Sequence, residues 1–156
     1  MLQNPGLKKT SPKELVTAIR TAKMLASANT FADSDTLSSP ELLSALIELL
    51  DWEQPRRNDS FDPSYGLPTY PAIDAIGVMR KPALPSLVQV LENEDPASLK
   101  AKNALQTIWL ILHRHDVDTI NFLRTEALTS KSSKSKERLL AAANAVSERH
   151  LASPQN

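Results

Sequence analysis

The chain of 156 residues contains no cysteine. That excludes disulfides, thiolate metal sites and a cysteine nucleophile. Its three glycines leave no glycine-rich phosphate loop or nucleophile elbow. Aromatic residues make up only 4% of the chain, so the core must rest on Leu, Ile, Val and Ala. That favours close helix packing over a β-sandwich, which draws on aromatic and β-branched residues. Charge of either sign is in no excess: the formal net charge is zero. Phosphate neutralisation supplies most nucleic-acid affinity, and the balance here disfavours such a partner. The longest apolar run, Ile108 to Leu112, is far too short to cross a bilayer, so no membrane insertion is expected. No apolar segment follows Met1 to Thr10; the expectation is a chain without a signal peptide, with the cytoplasm favoured.

What is present is helix punctuation from end to end. Ser11-Pro12-Lys13-Glu14 has the capping-box form, with proline tolerated in the first turn. Leu15, Ile19, Ala22 and Ala26 follow at helical spacing and predict a helix over about 12–28. Ser38-Ser39-Pro40-Glu41 repeats the box before Leu42, Leu43, Leu46, Ile47 and Leu50, completing an N-terminal helix pair over 12–52. Periodicity then fails over 53–69, which holds Pro55, Pro63, Gly66 and Pro68. This stretch reads as an irregular loop and the most mobile internal segment, with Arg56, Arg57 and Tyr65 as candidate loop contacts.

Helical spacing resumes at Tyr70. Ala72, Ile73, Ala75, Ile76 and Met79 share one face; Leu84, Leu87, Val88 and Leu91 share the next, after Lys81-Pro82. Asp95-Pro96 reads as the cap of a helix bearing Leu99, Ala104, Leu105, Ile108, Trp109 and Leu112, with Trp109 expected in the core. Asp116 reads as the N-cap of a helix through Val117, Ile120, Leu123 and Ala127. The polar run Ser130 to Lys136 reads as a loop, followed by a helix from Glu137 to His150 through Leu140, Ala143 and Val146, the C-terminal capping element over 133–151. No stretch shows sustained strand alternation. The expectation is one all-α domain over 1–156, with about seven helices.

A weak internal repeat, small or apolar, two residues, Ala, apolar, occurs at 15–19, 42–46, 72–76, 101–105 and 142–146. Ala72-Ile73-Asp74-Ala75-Ile76-Gly77, Pro82-Ala83-Leu84-Pro85-Ser86-Leu87-Val88 and Leu91-Glu92-Asn93-Glu94-Asp95 together resemble a HEAT repeat of the phycobilisome-lyase type. A second unit over Ala97 to Leu128 resembles it less closely, since its inter-helix turn, His113-Arg114-His115-Asp116, lacks the family's Gly and Pro. The resemblance implies a short right-handed α-solenoid of stacked antiparallel helix pairs, with two HEAT-like units over 70–128. It also implies a scaffold that binds a protein or peptide partner through its second helices. Gln89, Glu92, Asn121 and Arg124 are the candidate surface positions on those helices.

His113 and His115 beside Asp116 and Asp118 are the one cluster with metal-ligand residue types. Side chains two apart on a helix diverge, and no third His stands upstream, so a polar helix end is the better reading. A minor lyase-like or hydrolytic role centred there is the alternative, with HEAT-like nucleic-acid binding a further one. Asp33 with Asp35, and Asp59 with Asp62, lack the spacing of an EF-hand. Lys131, Lys134, Lys136 and Arg138 form a basic cluster among serines, without an aromatic to stack on a base, and read as a solvated loop. No catalytic residue, metal or cofactor is expected; the function expected is non-catalytic interaction.

Overall fold

A computed structural model of the chain describes residues 40–53 and 69–152, with side chains through 150. Every regular element among the described residues is helical: α1 (Pro40–Glu48), α2 (Pro71–Met79), a 3-10 turn (Lys81–Ala83), α3 (Leu84–Asn93), α4 (Leu99–Ile111), α5 (Asp116–Thr129) and α6 (Ser133–Ala152). The chain is all-α over these residues. The expected helix over 12–28 lies outside them, as do Arg56, Arg57 and Tyr65 in the expected loop.

The described residues fall into two compact units divided between Met79 and Arg80. That boundary lies inside the first expected repeat, and not at the loop 53–69. In the first unit α1 packs on α2. Leu46 and Leu50 are buried on the α1 side, and Ala72, Ile73, Ala75, Ile76 and Met79 on α2, the face that helical spacing predicts.

In the second unit α3 packs on both α4 and α6, and α6 packs on α5 along most of its length. The tightest hairpin is therefore α5–α6. Helices α4 and α5, expected to form one repeat, meet over only a few residues. The core is built from Leu84, Leu87, Val88 and Leu91 of α3, Ala101, Ala104, Ile108 and Ile111 of α4, Leu123 and Ala127 of α5, and Leu139, Ala143 and Val146 of α6. On α3 this is the predicted face. On the next three helices the buried face is rotated: Leu99 is 41%, Val117 56% and Leu140 37% exposed. Thr107 and Thr119 take buried places instead. Each hydroxyl donates to the carbonyl four residues back, on Asn103 at 2.7 Å and His115 at 2.8 Å, which satisfies it without solvent.

Two helix starts differ from those read in the sequence. The cap of α4 is Ser98, whose Oγ accepts from the Ala101 N–H at 3.1 Å. Asp95 instead accepts from the Ala97 N–H at 2.7 Å, a turn before the helix. The cap position of α5 is His115, and Asp116 is the first helical residue. Helix α6 starts at Ser133, so Lys134, Lys136 and Arg138 belong to its opening turns rather than to a loop.

Glycine placement is also informative. Gly77 sits inside α2, where a Cβ would meet nothing within 4 Å. Arg80, by contrast, adopts φ 60° and ψ −146° before the 3-10 turn, a conformation that costs a side-chain-bearing residue about 1–3 kcal/mol. Moving the glycine, as Gly77→Ala with Arg80→Gly, should stabilise the protein by about 1–2 kcal/mol through helix propensity and relieved strain. A denaturant midpoint equal to or below that of the parent would contradict these backbone angles.

Candidate functional site

The best-defined polar cluster lies where α4, α5 and α6 converge. Helix α4 ends at Ile111 in a Schellman pattern: the Arg114 N–H donates to the Trp109 carbonyl at 2.8 Å and the His113 N–H to that of Leu110 at 3.1 Å. His113 and Arg114 take φ 60° and 64°, values usually left to glycine. Neither position of this turn carries a glycine. The tight reversal brings the N-terminus of α5 back beside Trp109.

Asp116 then becomes the centre. Its Oδ1 accepts from the Trp109 indole Nε1–H at 2.7 Å and from Arg149 Nη2 at 3.0 Å, and its Oδ2 accepts from His150 Nδ1 at 3.0 Å. A carboxylate only accepts, so Nδ1 carries the proton in this contact. The Arg149 guanidinium lies 4.6 Å from the centroid of the Trp109 ring, a cation–π distance. Burial alone pushes the Asp116 carboxyl up. The bonds from Arg149, His150 and Trp109, with the charge of Arg149, outweigh it and hold the group below its ordinary value of 3.8. Trp109 is thus half-buried, with its N–H and one ring face engaged by polar groups; the expectation of a plain core residue is corrected on that point.

The histidine cluster does not converge. His113 and His115 are both exposed, and His115 Nδ1 stands 3.3 Å from Asp118 Oδ2 at an open surface. Among the described residues no group of three His, Asp or Glu side chains is placed to hold a metal ion. Asp116 turns away from both histidines toward α6.

The candidate surface residues have different surroundings. Gln89 is exposed on α3, and its carbonyl accepts from Asn93 Nδ2 at 2.8 Å. Glu92 is half-buried. Its carboxylate accepts from Ser130 Oγ at 3.0 Å and its carbonyl from Arg138 Nη1 at 2.7 Å, so it ties α3 to the α5–α6 turn. Arg138, read as part of a solvated cluster, is the other half of that tie. Asn121 and Arg124 are exposed on α5. They align with Val117 and Leu128, 56% and 79% exposed, at spacings of four, three and four along the outward face.

Arg149, His150 and the tie through Glu92 were not singled out in the sequence, because their partners are tens of residues away. The one local hint was Trp109, whose indole N–H needs an acceptor wherever the ring is covered. Among the described residues no helix is long and apolar enough to cross a membrane. No family model, curated protein or solved structure matches the chain.

Proposed function

We propose that this chain is a non-catalytic interaction module, a HEAT-like arrangement of helix pairs that binds a protein or peptide partner through the outward face of α5. The observation that carries this reading is the stripe of Val117, Asn121, Arg124 and Leu128. A helix that keeps two aliphatic side chains exposed at i and i+11, with polar groups at i+4 and i+7 between them, has the spacing of a helix–helix seam. Burying both aliphatic groups against a partner is favourable, and Arg124 supplies a directional contact between them. The HEAT-like likeness rests on the sequence pattern over 71–93, a helix, a Pro-bearing turn and a second helix.

A photo-reactive residue placed at Asn121 should give a discrete adduct in cells, while the same residue at the exposed Lys102 on α4 should not. Adding Val117→Ser and Leu128→Ser should abolish the Asn121 adduct with far-UV circular dichroism unchanged. Equal labelling from both positions, or an adduct indifferent to the two serines, would remove the basis for this surface.

A further inference from the structure

Past Val146, the last buried apolar residue described on α6, the next four side chains are polar. Ser147 and His150 are half-buried, and Glu148 and Arg149 are exposed. This turn is fastened to one carboxylate. Asp116 holds Arg149 and His150 together, and Arg149 in turn lies over the Trp109 ring. The fastening is of a different kind from the rest of the α5–α6 hairpin, where Leu123 and Leu139 are fully buried. The Arg149 side chain is 49% exposed, so salt and water weaken its pairing far more than they weaken apolar packing. Of the other charges near the cluster, Arg114 and His113 are exposed on the α4–α5 reversal, and Asp118 faces His115. Segments held by few buried apolar contacts open at lower free energy than the core to which they are joined.

We propose that the last turn of α6 is an electrostatic latch, opening independently of the hairpin core, that covers the ring of Trp109 when closed and bares it when open. Tryptophan is the side chain with most to gain from a partner's apolar surface. An opened latch therefore changes what the α4 end of this unit presents, without unfolding the unit.

Hydrogen exchange on the full chain, read by mass spectrometry, separates a latch from general loosening. Asp116→Asn removes the charge and keeps the shape. It should speed exchange of backbone amides over 147–152 by about tenfold or more while 139–146 keeps its protection. In a Trp52→Phe background, where Trp109 is the only tryptophan, acrylamide quenching should rise about twofold on the same substitution or in about 0.5 M salt. Equal acceleration of both segments would show that the turn has no separate opening. Unchanged exchange in Asp116→Asn would show that something other than the carboxylate holds it. Each of these results overturns the latch.

Discussion

Truncating Leu139 to alanine should destabilise the second unit by about 2–5 kcal/mol, whereas the same change at Leu140 should cost less than about 1 kcal/mol. The two leucines are neighbours in the chain and differ only in the face of α6 they occupy. Leu139 is fully buried, in the helix that makes the most extensive interface of the unit with α5. Its loss leaves a cavity as well as the transfer cost of the deleted carbons. Leu140 is 37% exposed, and alanine's helix propensity offsets part of what it loses. The periodic reading of the sequence through Leu140, Ala143 and Val146 predicts the opposite order. Urea denaturation of both variants, followed by circular dichroism, decides between the two faces.

That contrast shows what was legible. Helical class was, because every periodic stretch peaks at helical spacing and no strand alternation competes. Faces were legible where one stripe is densely aliphatic, as on α2 and α3. They were not where two stripes compete. On α6, Leu139 stands four and seven residues before Ala143 and Val146, and Leu140 three and six before them, so spacing alone fits either. On α4 and α5 a reading that counts only aliphatic residues misses Thr107 and Thr119, buried because each bonds back onto its own helix.

The polar cluster was hidden for a different reason. Its residues come from three helices, and the α4–α5 reversal that joins two of them runs through His113 and Arg114 in left-handed conformations that neither residue type announces. Asp116 was recognisable as a residue that belongs at a helix start, where a negative charge suits the backbone dipole. That its carboxylate turns to Trp109, Arg149 and His150 rather than to backbone amides is set by how α6 returns along α5. The pairing of α5 with α6, closer than that of α4 with α5, likewise depends on long-range packing that a repeat pattern of five residues does not encode.

Replacing Asp116 by alanine should cost about 1–2 kcal/mol, and the loss should disappear in acid. The carboxylate accepts three bonds. Charge-assisted bonds are each stronger than neutral ones, but Arg149 and His150 are substantially solvated, which keeps the total near the lower end. The pH dependence follows from the direction of the shift. The Asp116 carboxyl is held below 3.8 in the folded protein, so the unfolded chain takes up its proton first as pH falls. The stabilisation is therefore complete above the unfolded value and is lost as pH drops through the lower, folded one. Thermal melts of the parent and of Asp116→Asn should differ at about pH 6 and converge toward about pH 2. Trp109→Phe, which keeps an aromatic ring under Arg149 but removes the indole donor, should narrow that gap without closing it. Equal melts of parent and Asp116→Asn at about pH 6 would mean that Asp116 acts through its shape alone, and the three donors around it would then contribute nothing that depends on its charge.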